Sequence, residues 1–122
     1  MPYVEILAPP APPQSNAVLA RSITDGLMTT FGVGPETITL YFLPITAANY
    51  AHAGEMGSDG AGQRILLKVH AFRRTEAERR AAAIALTRSV CVAYGVPGSD
   101  VATYFIDREK DEVAHDSKLA SD

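Results

Sequence analysis

Pro2, Arg73 and Arg74 are the residues of this chain whose types and positions suit chemistry on a small anion. Met1 is expected to be removed because the second residue is small, which leaves Pro2 as a free secondary amine. An ordinary α-amino group titrates near ~7.7–8.0, and burial beside a cation lowers its pKa further because both disfavour the ammonium form. Such a base, held at the end of a strand, suits proton abstraction next to a carbonyl group. The alternative is that Met-Pro is an ordinary chain start without a chemical role.

Arg73 and Arg74 stand between a predicted strand and a predicted helix. Arginine offers a planar pair of donors that matches a carboxylate, and the N–H groups at a helix start also favour an anion. This position therefore indicates a binding site for a carboxylate. The alternative is a solvated pair that interacts with Glu76 or Glu78 on the surface.

Other residue types with catalytic potential form no recognisable pattern. Cys91 is the only cysteine; it excludes an intrachain disulfide framework, fits a reducing cytoplasm and is expected to be a buried, inert thiol. Together with three scattered histidines it gives no metal-ligand spacing, so no metal and no cofactor are expected. The glycine-rich segment GEMGSDGAGQ, 54–63, lacks a phosphate-binding pattern and is interpreted as a connection.

The composition predicts one globular domain, residues 1–122, with 47% apolar and 20% charged residues. The net charge of −3 comes without a basic block, so neither nucleic acid nor an anionic membrane surface is expected as a partner. The apolar runs are too short for a membrane span, and no signal peptide is apparent. A cytoplasmic location is therefore expected.

The elements that would position these residues occur twice. ITLYFLPI, 38–45, resembles VATYFIDR, 101–108, and FGVG, 31–34, resembles YGVP, 94–97. Both pairs are offset by 63 residues without a gap, and the turn residues match. An ungapped offset of this kind predicts two copies of one unit.

The predicted copies span 1–56 and 64–119 and are joined by a linker at 57–63. Each copy has the pattern of a strand, a helix and a second strand. The strands are predicted at 2–8, 37–43, 64–72 and 100–106. The helices are predicted from apolar residues at i, i+4 spacing: Leu19, Ile23, Leu27 and Phe31 in the first copy, and Ala82, Leu86, Val90 and Tyr94 in the second.

The ends of both helices carry sequence signals. Thr75 and Glu78 form a capping box at the start of the second helix, and Ser15 is a weaker candidate cap for the first. Gly32 and Gly95 stand where each helix is expected to stop.

A strand–helix–strand crossover makes a parallel pair of strands. The predicted fold class is therefore α/β (α+β), with tandem β-α-β repeats forming a four-stranded sheet that has two helices on one face. Nothing in the chain remains to cover the other face, which is rich in apolar residues. An uncovered apolar face predicts a homo-oligomer, and the alternative is a monomer with a half-polar open sheet.

The chain resembles the tautomerase superfamily, which includes 4-oxalocrotonate tautomerase, cis-3-chloroacrylic acid dehalogenase and malonate semialdehyde decarboxylase. The resemblance covers nearly the whole chain. The stretches that carry it are Met1-Pro2, FGVGPETITLYF (31–42), NYAHAGE (49–55), RRTEAER (73–79) and YGVPGSDVATYF (94–105). It implies a tautomerase/MIF-like fold, a trimer, and an amino-terminal catalytic proline exposed by removal of methionine.

The resemblance also implies roles for individual residues. Arg74 matches the arginine that precedes a helix opened by Ser/Thr and acidic residues, so it is expected to hold the substrate carboxylate, with Arg73 assisting. Tyr50 matches the aromatic residue that lines the pocket of 4-oxalocrotonate tautomerase. Tyr104 matches the tyrosine that helps to orient a water in the dehalogenases, and His115 takes the position of their glutamate.

Several positions depart from the family pattern. Ala11 takes the place of the helix-opening arginine in the first copy, and a second arginine of 4-oxalocrotonate tautomerase falls on Thr39 and Ala102. The histidine of the dehalogenases falls near Leu27, and the aspartate of the decarboxylase falls near Thr37. The hydrolytic machinery is incomplete, which favours simple tautomerisation.

The predicted function is that of a cofactor-independent tautomerase acting on a small 2-hydroxydienoate or 2-oxo acid, with Pro2 as the general base. One alternative is a hydrolytic dehalogenase, a hydratase or a decarboxylase of the same superfamily. Another is an inactive tautomerase-fold subunit for binding or assembly, because a retained Met1 makes the Pro2 nitrogen a non-basic amide.

Overall fold

The two apolar stripes of the sequence become the buried faces of two 19-residue helices, α1 (Pro13–Phe31) and α2 (Glu76–Tyr94). The computed structural model describes residues 1–57 and 62–122; part of the predicted linker, 58–61, lies outside the described residues. All four stripe residues of α1 are buried, as are Ala82, Leu86 and Val90 of α2. Tyr94 at the end of α2 is only partly buried and packs at the margin of the core.

The helix ends follow the sequence signals with one exception. The Glu78 N–H donates to Thr75 Oγ1 at 3.1 Å and the Thr75 N–H donates to Glu78 Oε1 at 2.9 Å, which confirms the capping box. Gly32 and Gly95 end the helices in left-handed conformations, with φ of 64° and 65°. Ser15 as a cap is wrong: α1 follows Pro12, and among the described residues no side chain caps it. Proline at a first helical position has no N–H that needs a cap.

Removing the Thr75 hydroxyl is expected to lower the free energy of unfolding by about 1 kcal/mol, because the N–H of Glu78 loses its acceptor. Thermal unfolding of Thr75→Ala against the parent chain measures this. Ser15→Ala is the matched control, since the Ser15 side chain does not cap α1. An equal loss in both variants would contradict the capping assignment.

The capping box also predicts a pH dependence. The backbone N–H of Thr75 holds the pKa of the Glu78 carboxyl below its ordinary value, with the Thr75 side chain as a second cause. A group with a lowered folded pKa stabilises the fold above its unfolded pKa and loses that contribution as the pH falls through the folded pKa. Acid unfolding profiles of the parent chain and Glu78→Gln should therefore converge at low pH and separate towards neutral pH.

Four strands form one mixed sheet in the order β2 (Thr39–Pro44), β1 (Tyr3–Ala8), β5 (Ile65–Phe72), β6 (Val101–Arg108). The pairs β1–β2 and β5–β6 are parallel, as a β-α-β crossover requires, and the central pair β1–β5 is antiparallel. Glu5 lies directly opposite Lys68, which is 63 positions later. A pseudo-two-fold axis therefore passes between these residues and relates the two copies. The predicted fold class is confirmed.

The two faces of the sheet differ in composition. One face packs against both helices and contains the core, to which the strands contribute the buried residues Val4, Ile6, Ala8, Ile65, Leu67, Val69 and Ala71. The alternate residues of the strands form what we call the open face. It includes Tyr41 and Tyr104, which are 56% and 64% exposed, and also the buried His70.

Two short hairpins follow the outer strands, β3–β4 (Ala51–His52, Glu55–Met56) after β2 and β7–β8 (Ala114–His115, Lys118–Leu119) after β6. Because β1 and β5 run in opposite directions, the β3–β4 hairpin lies at the edge where β1 ends. The β7–β8 hairpin lies at the edge where β1 begins, next to Pro2. No helix in residues 1–57 and 62–122 is long and apolar enough to cross a membrane.

Candidate active site

Pro2 lies in the wall of a pocket at the sheet edge where β1 begins. Its side chain is less than 2% exposed, and its carbonyl accepts the Thr39 N–H at 3.3 Å, which ties it to β2. The pocket has a volume of about 640 Å³. Its lining residues are Met1, Pro2, Tyr3, Thr37, Thr39, Tyr41, Arg108, Glu112, Val113, Ala114 and His115. They come from both copies of the repeat, so the pocket depends on the way the copies join.

Aromatic rings form a stacked wall beside Pro2. The Tyr3 ring stacks on the His70 imidazole with centroids 4.2 Å apart and planes 3° apart. The Tyr41 ring meets the Tyr3 ring edge to face at 5.9 Å. Strand register explains this arrangement, because Tyr3 pairs with His70 on one side and with Thr39, two residues before Tyr41, on the other.

A chain of polar contacts runs from this wall to the pocket. Glu5 Oε2 lies 2.6 Å from His70 Nε2, and His70 Nδ1 lies 3.3 Å from Nη2 of Arg108. His70 is only 6% exposed, whereas Arg108 is partly exposed and lines the pocket. Arg108 is thus a positive charge in the same pocket as Pro2.

The predicted arginines lie at the edge of the sheet shared with Pro2 but make contacts of their own. Arg74 donates to the Phe72 carbonyl at 2.8 Å, and its guanidinium carbon lies 4.8 Å from the centroid of the Phe31 ring, at the end of α1. Its side chain is therefore directed towards the helix layer, not towards the open face. Arg73 forms an ion pair with Asp107 at 3.2 Å while 68% of its side chain is exposed.

Solved structures share the arrangement of strands and helices of this chain. A wild-type fused 4-OT, solved as an asymmetric trimer, matches with a TM-score of 0.90 and 15% identity over 98% of this chain and 96% of its own. Macrophage migration inhibitory factor of Toxoplasma gondii matches with a TM-score of 0.80 and 18% identity over 96% and 98%. The chain has the tautomerase-superfamily fold.

A third match is N1, a member of the cis-3-chloroacrylic acid dehalogenase family. It has a TM-score of 0.79 and 16% identity over 96% of this chain and 82% of its own. No family model and no curated protein sequence matches the chain. The likeness is therefore one of tautomerase fold, and it is found by comparing structures and not by comparing sequences.

On this tautomerase fold, His115 is the predicted residue that the structure brings to Pro2. It lies in the β7–β8 hairpin and lines the pocket together with Glu112. These side chains provide an imidazole and a carboxylate in the pocket that Pro2 also lines. Both can accept or donate a proton or orient a water molecule.

Tyr50 and Tyr104 lie elsewhere in the same chain. The Tyr50 hydroxyl accepts the N–H of Arg64 at 3.0 Å, at the opposite edge of the sheet from Pro2. Tyr104 lies on the open face of β6, where it pairs with Lys68. Their counterparts 63 residues away, Val113 and Tyr41, line the Pro2 pocket instead. The pseudo-two-fold axis exchanges the two sets.

Sequence reasoning missed Arg108, Tyr3 and Tyr41. Tyr41 was within reach, because it is the repeat counterpart of Tyr104 and follows Pro2 in the same copy. Arg108 carries no motif, and its counterpart in the first copy is Ile45. It enters the pocket only because the antiparallel β1–β5 pairing brings the end of β6 to the start of β1.

Proposed function

We propose that the chain, after removal of Met1, is a cofactor-independent tautomerase for a small 2-hydroxydienoate or 2-oxo acid. The Pro2 nitrogen removes a proton from the 2-hydroxyl group of the substrate, or from the carbon next to its 2-oxo group, and returns it at a different atom of the conjugated system, so that no net redox change occurs. The observation that carries this proposal is the buried Pro2 in the wall of a pocket that also holds Arg108, on a tautomerase fold.

The environment of Pro2 suits a neutral amine. With Met1 attached, its nitrogen is an amide without a basic lone pair; with Met1 removed, it is a secondary amine on a ring that lies in the pocket wall. The guanidinium of Arg108 in the same pocket disfavours the ammonium form and opposes the Glu112 carboxylate, which also lines the pocket. The amine then has a free lone pair near neutral pH, and this lone pair can accept a proton from the substrate.

The remaining residues take supporting roles in this proposal. Arg74 holds the second carboxylate of a longer substrate such as 2-hydroxymuconate when its side chain leaves the Phe72 carbonyl, and Arg73 adds positive charge at the same edge. His115 donates to the enolate oxygen as charge develops there. Tyr50 and Tyr104 take part only if a neighbouring copy presents them to the Pro2 pocket, because both lie outside it in their own chain.

We propose a homotrimer on two grounds. The open face exposes tyrosines and Leu43 without a covering layer in the described part of the chain, and the fused 4-OT neighbours were solved as trimers. Sedimentation should give a mass of three chains of 13.0 kDa each. Leu43→Arg on the open face should dissociate it, whereas Ile84→Arg on the outer face of α2 should not. A wild-type monomer at micromolar concentration would rule out the trimer.

A substrate panel tests the function. Purified protein from the native host, with its intact mass measured, is assayed for ketonisation of phenylenolpyruvate and 2-hydroxymuconate. We expect ketonisation from the form that lacks Met1. Retention of Met1 in the native host, or absence of turnover by the processed form, would favour the inactive binding subunit.

Water addition, as in a dehalogenase or hydratase, is the second candidate. It is favoured by Glu112 and His115, which line the Pro2 pocket and could orient a water molecule. Halide release from 3-haloacrylates distinguishes it from the tautomerase. We expect release to be much slower than ketonisation, and the reverse order would establish the hydrolytic reading.

A further inference from the structure

We infer that Arg108 binds the substrate carboxylate in the Pro2 pocket, and that His70 and Glu5 are positioning residues that hold its guanidinium in place. This inference rests on the proposed function, since it names the residue that recognises the acid in that same pocket. It adds a recognition element that neither the repeat nor the arginine motif at the start of α2 predicts.

The guanidinium of Arg108 is held on one side and open on the other. Its Nη2 lies 3.3 Å from His70 Nδ1, and its Nη1 donates to the Asp107 carbonyl at 3.3 Å. A guanidinium has five N–H donors in a planar fork, so donors remain for a ligand in the pocket. A planar carboxylate matches such a fork with two hydrogen bonds.

The donors and acceptors in the contacts among Glu5, His70 and Arg108 can be assigned from the chemistry of the side chains. Arginine cannot accept a hydrogen bond, so His70 Nδ1 must be the acceptor and carries no proton. The ring proton is then on Nε2, which donates to Glu5 Oε2 at 2.6 Å. Each group in the chain is oriented by the next, from Glu5 through His70 to Arg108.

The burial of His70 distinguishes this series of side-chain contacts from a contact on the protein surface. His70 is 6% exposed and its ring is covered by the parallel ring of Tyr3 at 4.2 Å. A buried imidazole is costly unless its polar atoms have partners, and here both ring nitrogens have one. Rotation of the imidazole would break the contact to Arg108, so the stacking on Tyr3 also fixes the guanidinium.

Comparison of the two copies indicates that the fold does not need the contacts among Glu5, His70 and Arg108. In the first copy the counterparts of His70 and Arg108 are Leu7 and Ile45, and the counterpart of Glu5 in the second is Lys68. Both copies nonetheless form the same strand–helix–strand unit. The contacts from Glu5 through the buried His70 to Arg108 lead to the edge that has Pro2, which is the edge where an acid would be bound.

Kinetics with an acid and its methyl ester test the inference. For phenylenolpyruvate, Arg108→Ala should lower kcat/KM by about 10–100-fold, chiefly through KM, because a hydrogen-bonded charge partner is lost. For the methyl ester, which lacks the negative charge, the same variant should change kcat/KM less than threefold. Arg80→Ala, which removes an exposed arginine of α2, is the matched charge control.

The positioning role is tested by substitutions that leave Arg108 in place. His70→Leu, which installs the residue of the first copy, should raise KM for the acid by about tenfold with little change in kcat. Glu5→Ala should do the same, and Glu5→Gln should restore KM because its amide oxygen accepts the same imidazole proton. Equal losses for acid and ester, or a KM effect confined to Arg74→Ala, would overturn the inference.

A binding measurement separates this inference from the proposed chemistry. 3-Phenylpropionate lacks the reactive carbonyl, so it can bind without turnover. It should shift the NMR signal of the Arg108 side chain in the wild type and in Pro2→Ala alike. That shift without ketonisation by the wild type would contradict the tautomerase proposal and support the carboxylate site. Ketonisation without the shift would support the tautomerase proposal and contradict the carboxylate site. Unfolding temperatures confirm that each variant is folded.

Discussion

Pro2→Ala is expected to lower kcat/KM for ketonisation by about 10²–10⁴-fold, the range typical of losing a well-placed general base. Alanine also permits removal of Met1, so the variant has a primary amine at the same place in the chain. It lacks the buried ring that fixes φ, so its amine is no longer held in one orientation in the pocket wall. Steady-state kinetics on phenylenolpyruvate measure the loss.

A second variant removes the amine while keeping the proline. Insertion of one lysine between Met1 and Pro2 blocks removal of the methionine and leaves the Pro2 nitrogen as an amide. The Pro2 ring remains, as does the hydrogen bond from the Thr39 N–H to the Pro2 carbonyl, so a fall in rate reports the missing lone pair. If both variants turn over at the wild-type rate, the base is another group, and His115 and Glu112 are the next to be tested.

Leu86→Ala is expected to have the largest effect on stability, lowering the free energy of unfolding by about 2–5 kcal/mol. Leu86 is fully buried on the face of α2 that packs on the sheet. Its truncation removes apolar contacts and leaves a cavity that the surrounding helices fill only in part. Denaturant unfolding at one fixed protein concentration measures the change, since oligomer stability depends on concentration.

Ile84→Ala is the matched control for that experiment. Ile84 is on the same helix, has the same number of carbons as leucine, and is 55% exposed. We expect a change within about 0.5 kcal/mol, because surface substitutions away from special features have small effects. Similar losses in the two variants would mean that the face of α2 assigned to the core is wrong.

The local structure was predictable because each signal acts over a few residues. Leucine, isoleucine and alanine at i, i+4 spacing gave the buried faces of α1 and α2, and Thr75 with Glu78 gave the start of α2. Ser15 failed as a cap because α1 begins at Pro13, so Ser15 is the third helical residue and does not precede the helix. The capping rule itself is correct, but it applies only to the residue that precedes the first turn of a helix.

The site was less predictable because it depends on how the two copies join. The sequence predicted a parallel pair within each copy but not the antiparallel contact between them, which long-range register decides. That contact reverses the second copy, so His115 lines the Pro2 pocket while Tyr104 and Tyr50 do not. Arg108 could not be found from motifs, since its place follows from the same contact.

The pseudo-two-fold axis has one more consequence, which concerns division of labour. The counterpart of Pro2 in the second copy is Ile65, whose nitrogen is tied into a peptide bond in mid-chain. Because the two copies are joined, the position equivalent to Pro2 cannot carry a free amine, whichever side chains surround it. Next to this position the Tyr50 hydroxyl binds the backbone N–H of Arg64, a contact that holds structure together. The two edges therefore differ twice: removal of Met1 would free an amine only at Pro2, and only the edge with Pro2 has the contact between His70 and Arg108.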